Sequence, residues 1–155
     1  MNKLSQFAAK LAVGAAILTL PTTPATADTV PQIFPPPPPT VCHFIMTSLT
    51  AENLQNDGGT DNVFLGVGGT RFPTTGTVAY SAPGQTQPAA AFDNPQGAYA
   101  RLTSLNVSLR LLGSNVPIAT KSIPCSTVSD AVRTFSNGDA TYTMRYNVFV
   151  ESLEP

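Results

Sequence analysis

Covalent chemistry in this 155-residue chain could begin at Cys42, His43 and Cys125. His43 is the only histidine, so any Ser-His or Cys-His mechanism has to use it. No G-x-S-x-G elbow accompanies it, and an ordinary strand histidine is the expectation. Two cysteines and one histidine without C-x-x-C spacing make a poor zinc set. In an oxidising compartment, the two cysteines are instead expected to pair with each other. In the chain-entropy model that bond is worth roughly 4 to 5 kcal/mol, because the loop it closes is long. The carboxylates form no acid–base pair: Asp57 and Asp61 flank the Gly58-Gly59 turn, and Asp93 stands alone. Asn56 to Asn62 is rich in oxygen donors but lacks the ligand spacing of an EF-hand, and turn chemistry accounts for its Asn, Asp and Gly residues. Asn106-Val107-Ser108 matches a glycosylation acceptor but falls in the middle of a predicted strand. No enzyme, metal or cofactor is expected from these residues.

The elements that would position them begin after an export signal. Lys3 and Lys10 precede the apolar run Leu11 to Leu20, Pro21 follows, and Ala25-Thr26-Ala27 has the small-residue pattern of a cleavage site. The run is too short to cross a bilayer, which takes about 20 residues. Residues 1–27 are therefore expected to be a cleaved, bacterial-type signal peptide, with Asp28 starting a secreted, periplasmic or cell-surface chain. Cleavage would leave 128 residues and a net charge of −3, since Lys3 and Lys10 leave and all nine acidic residues remain. No Lys/Arg cluster survives to attract nucleic acid or an anionic membrane, and no membrane span is expected after cleavage.

Beyond residue 40 the composition and periodicity predict strands. Thr, Ser, Gly, Asn and Pro are abundant and charged residues scarce, which disfavours long helices. Tyr99 to Leu112 alternates Leu105, Val107, Leu109 and Leu111 against Ser104, Asn106, Ser108 and Arg110. Thr141 to Val150 places Tyr142, Met144, Tyr146, Val148 and Val150 on one face. The Asn137-Gly138 turn before it predicts a hairpin with Val128 to Phe135. Val116 to Ile123 reads as an edge strand because Pro117 interrupts it. Val41 to Leu49, Asn62 to Val67 and Thr77 to Tyr80 complete the set. Ser81 to Gln96, rich in Pro, Ala and Gln, reads as a long exposed loop. The fold expected is an all-β antiparallel sandwich, Ig-like or jelly-roll-like, of about seven strands with one disulfide, over residues 41–155.

Residues 28–40 join signal to sandwich. Val30, Ile33 and Phe34 form a short apolar tail, and Pro35, Pro36, Pro37, Pro38 and Pro39 follow as a stiff polyproline spacer of about 15 Å. Phe34 with these prolines resembles the FPPPP ligand of EVH1 domains, although no acidic residues flank it. The order of signal, apolar N-terminal extension and sandwich with one disulfide resembles exported fimbrial or pilus subunits that assemble by donor-strand exchange. That resemblance implies that the tail completes a neighbour's sheet and that the partner is a second copy or another exported protein. The function expected is that of a non-catalytic structural or adhesive surface protein. The alternative is a monomeric secreted binding module, with the Ser81 to Gln96 loop and the aromatics Tyr80, Phe92 and Tyr99 forming its ligand surface. A hydrolase using His43 is a third reading.

Overall fold

The computed structural model describes residues 38–55, 59–113 and 117–153, all within one compact unit, Pro36–Pro155. Val30, Ile33, Phe34 and Pro35 to Pro37 of the expected tail and spacer lie outside the described residues.

Two antiparallel sheets face each other. In sheet A, β1 (Thr40–Asn53) pairs with β10 (Thr141–Ser152), which pairs with β9 (Val128–Ser136). The other side of β1 is shared by two short strands, β6 (Gln96–Ala100) along its first half and β5 (Thr86–Pro88) further on. Sheet B repeats the plan. Here β2 (Asp61–Val67) pairs with β7 (Ser104–Leu111), and β7 with β8 (Ala119–Pro124). The free side of β2 carries β4 (Val78–Tyr80) and β3 (Thr70–Phe72). The all-β sandwich expected from the sequence is therefore the observed fold.

Alternation explains which face each strand buries. On β10, Tyr142, Met144, Tyr146 and Val148 point inward and are buried. On β1, Cys42, Phe44 and Met46 point inward, then the register shifts between Met46 and Ser48. That bulge at Thr47 changes the parity, so Leu49 and Ala51 become the buried positions. The Asn137-Gly138 hairpin between β9 and β10 forms as predicted. Cys42 and Cys125 form a disulfide, with Cα atoms 5.5 Å apart. It staples β1 of sheet A to the residue following β8 of sheet B.

Among the described residues ten strands replace the roughly seven expected, for two local reasons. Thr70–Phe72 and Thr86–Pro88 are too short for any periodicity to mark them. The predicted strand Tyr99 to Leu112 is in fact two, β6 and β7, and they belong to different sheets. The chain turns between them at Arg101, whose φ of 60° lies in the left-handed region. Arg101 N–H donates to Thr40 O at 2.8 Å, and Cys125 N–H to Thr103 O at 3.0 Å. Alternation runs on through the turn because both sheets bury the same side of the chain.

The expected Ser81 to Gln96 loop also needs correction. It contains β5 and a 3-10 turn, Ala89–Phe92, that drives Phe92 fully into the core. Asp93 ends that turn in a left-handed conformation, and its Oδ2 accepts from the Thr74 N–H and hydroxyl.

Candidate functional site

The residues singled out from the sequence do not gather into one site. His43 faces outward from sheet A, opposite Phe149 on one neighbouring strand and Ala98 on the other. Its Nε2 lies 3.2 Å from Glu151 Oε2. Pro38 and Pro39 are exposed, and Pro39 O accepts from Leu153 N–H at 2.8 Å. Asp93 holds the Thr74 loop, and those two hydrogen bonds keep its carboxyl below the ordinary aspartate range. Asp57 lies outside the described residues. Asp61 is fully buried, where its Oδ2 accepts from Gln55 N–H at 2.9 Å and Tyr142 O–H at 2.7 Å.

The three aromatics expected at a ligand surface belong to the interior. Tyr80 and Phe92 have no exposed surface. Tyr80 packs edge-on against Tyr142 and donates its hydroxyl to Leu49 O at 2.8 Å. Tyr99 crosses between the sheets and donates to Val67 O at 3.3 Å. Its ring fills the space where Cβ atoms on Gly68 and Gly97 would stand, so these glycines exist to seat the ring.

What the structure does build is an open depression of about 360 Å³ on the outer face of sheet B. The strand register produces it. Gly66 on β2 lies between Arg71 on β3 and Ser108 on β7, and Ser108 lies next to Thr120 on β8. This row crosses four strands, roughly 14 Å at ordinary strand spacing. Gly66 has no side chain to contribute, so the row sinks at its second position, and a Cβ there would stand 2.6 Å from Ser108 Oγ. Phe64 and Arg110, directly opposite each other, form one wall, and Asn106 lies on the other side. Arg71 is stacked on the Phe64 ring, its guanidinium carbon 4.1 Å from the centroid. It also donates to Gly76 O. Both contacts hold the guanidinium flat against the face.

The exposed strand carboxylates and the arginines of the depression lie on different sheets. Among the described residues the outward positions of sheet B are Asn62, Phe64, Gly66, Arg71, Ala79, Ser104, Asn106, Ser108, Arg110, Thr120, Ser122 and Pro124. None is acidic, and two are arginines. The exposed carboxylates of the strands, Glu52, Asp130 and Glu151, are all on sheet A.

Only one signal in the sequence pointed here. An isolated glycine inside the strand pattern Asp61-Asn62-Val63-Phe64-Leu65-Gly66-Val67 marks a bulge or a close approach. No strand-pairing residue reveals which neighbours surround it until the sheet order is known.

No protein-family model matches the sequence, and no curated protein matches it significantly.

Proposed function

We propose that this is an exported, non-catalytic surface protein whose sandwich acts as a binding module, with the outer face of sheet B as the binding face. The observation that carries this reading is Gly66. It sits in an interior strand, where glycine costs about 0.5–1 kcal/mol against a residue with a side chain. Among the described residues its neighbours are two arginines, hydroxyls and an amide. A sheet needing only stability would place a β-branched residue there. Export is supported by the signal-like first 27 residues and by the pairing of the two cysteines the chain contains.

The test is Gly66→Val, which fills the depression with a good strand former. Parent and variant are compared for retention on immobilised polygalacturonate, dextran sulfate, dextran and poly-glutamate. The parent should bind at least one of them, and the variant should lose that binding while remaining folded once Ser108 Oγ turns aside. Binding that survives Gly66→Val on every matrix refutes the reading, and so does a parent that binds none.

Self-assembly through the apolar tail is the second reading. Leu102, Phe149 and Leu153 are 40, 44 and 43 % exposed at the end of sheet A where Pro39 enters β1. Exposed apolar side chains near the root of the arm favour association there. We rank it second because the edges of both sheets are built against strand addition. The half-buried Lys121 and Arg133 point inward from the edge strands β8 and β9, and Arg133 is tied to Ser122 O at 3.2 Å. The opposite edges are each made of two short strands. Both devices protect natural sheets from pairing with other chains. Removal of residues 28–37 followed by light scattering decides between monomer and assembly.

A further inference from the structure

We infer that the open side of the sandwich between β8 and β9 holds a small dianionic oxyanion, phosphate or sulfate, bound by Lys121 and Arg133. The site lies apart from the outer face of sheet B, and neither depends on the other.

Two cations turn inward on this side. Lys121 stands directly opposite Val107 on β7, and Arg133 opposite Met144 on β10. Val107 and Met144 are fully buried, so both cations lie on the inner sides of their strands, and each is half-buried. Among the described residues neither has a carboxylate partner. Asp130, the one carboxylate on β8 or β9, is exposed and pairs with Arg145 at 2.8 Å. Of the strands behind them, β7 carries none and β10 carries Glu151, which pairs with His43.

The two strands also close on each other. They are the edges of the two sheets on one side of the sandwich, and their Cα atoms come within 8 Å. Arg133 Nη2 donates across the gap to Ser122 O at 3.2 Å, which sets the guanidinium beside the residue that follows Lys121. The Arg133 Nε–H is buried without an acceptor among the described residues. A guanidinium removed from water on that side and bonded to one neutral carbonyl keeps its charge largely uncompensated. Like charges backed by apolar residues repel more strongly than they would in water.

Edge protection explains why charge points inward but not why both charges are positive. A lysine on one edge and a glutamate on the other would guard the strands equally well and attract each other. Sulfate, and phosphate near neutral pH, carry about two negative charges and match the two cations. Lysine meets such oxygens as a point charge, and the guanidinium meets them as a fork. A carboxylate would leave one cation uncompensated, and the narrow gap suits one compact ion.

The experiment uses the full chain with its disulfide formed, melted in sodium chloride and in phosphate or sulfate at equal ionic strength. The anions are kept millimolar, where their general stabilising effect on proteins is small. The gap exists only in the folded chain, so the parent's melting temperature should rise with phosphate or sulfate concentration. Lys121→Met keeps the aliphatic stem and removes one cation. It should melt no lower than the parent in chloride and should weaken phosphate binding, read by calorimetric titration, roughly tenfold. Lys121→Glu sets a carboxylate near Arg133, and it should melt above the parent in chloride and bind no phosphate. Edge protection alone predicts none of these anion effects. A parent that melts identically in all three salts overturns the inference, as does phosphate binding that survives unchanged in both variants. Acetate binding as tight as phosphate binding overturns the assignment to a dianion.

Discussion

The hydroxyl of Tyr142 offers a clean perturbation of the core. It donates to Asp61 Oδ2 at 2.7 Å, and Asp61 has no exposed surface. Its other oxygen, Oδ1, has no hydrogen-bond partner among the described residues. Tyr142→Phe removes one oxygen and keeps the ring, so the edge-on contact with Tyr80 at 5.4 Å survives. The loss is a hydrogen bond to a buried carboxylate that then retains, among the described residues, only the Gln55 N–H. Such bonds are worth roughly 1.5–3 kcal/mol, and the desolvated acceptor left behind places the cost near the top of that range. With a urea m-value of about 1–3 kcal/mol/M, the unfolding midpoint should fall by about 1–3 M. Tyr80→Phe is the internal control: it loses a neutral bond to Leu49 O and should cost only about 1 kcal/mol. A Tyr142→Phe protein that loses no more than Tyr80→Phe refutes the view of Asp61 as a buried, hydrogen-bond-dependent acceptor. Alkaline pH supplies a second measurement. Burial raises both phenols well above the ordinary tyrosine range, and Asp61 raises Tyr142 further. A raised folded-state pKa means the unfolded chain ionises first. Stability is therefore fully present below about pH 10 and falls above it by about 1.4 kcal/mol per unit per tyrosine. Tyr142→Phe should remove its own share of that slope, and an unchanged alkaline limb contradicts the assignment.

Other perturbations follow from equally specific contacts. Replacing both Cys42 and Cys125 by serine reopens a separation of 83 residues and should cost about 4 to 5 kcal/mol in denaturant titration; a loss under about 1 kcal/mol shows that the staple constrains little. Gly97→Ala sets a Cβ 2.5 Å from Tyr99 Oη and should displace the ring from Val67 O at a cost of about 1–3 kcal/mol. An unaltered melting temperature would mean the ring moves freely. Asp93 has a depressed carboxyl, so its contribution is present above the ordinary aspartate pKa and disappears as pH falls through the lower folded value. Asp93→Asn should flatten that acid limb, and parallel pH profiles for parent and variant count against the Thr74 contacts.

Much of the sandwich was legible because alternation is a local property. The β9–β10 hairpin follows from Asn137-Gly138 between two period-two runs, and both strands appear within two residues of their predicted ends. The cysteine pair was legible from count, since the chain holds two cysteines and one pairing is possible. Errors arose where local pattern is indifferent to partner. Tyr99 and Leu105 both face the interior, so a strand crossing from one sheet to the other preserves the alternation of a single strand. Phe92 looked exposed because its neighbours are Pro, Ala and Gln, and only the 3-10 turn with its left-handed Asp93 carries it inside.

By itself, the sequence determined the class of fold, the inward set of residues on each long strand, the hairpin and the absence of a basic cluster, all of which depend on spacing within one segment. Tertiary structure alone decided the binding face. Arg71, Gly66, Ser108 and Thr120 are separated by tens of residues along the chain but lie side by side in one row. Strand order and register bring them together, and neither is written in the period of any single strand. The same pairing placed the arginines of the depression on one sheet and the exposed strand carboxylates on the other. A net charge counted along the chain sums the two faces and carries no record of which charges share one.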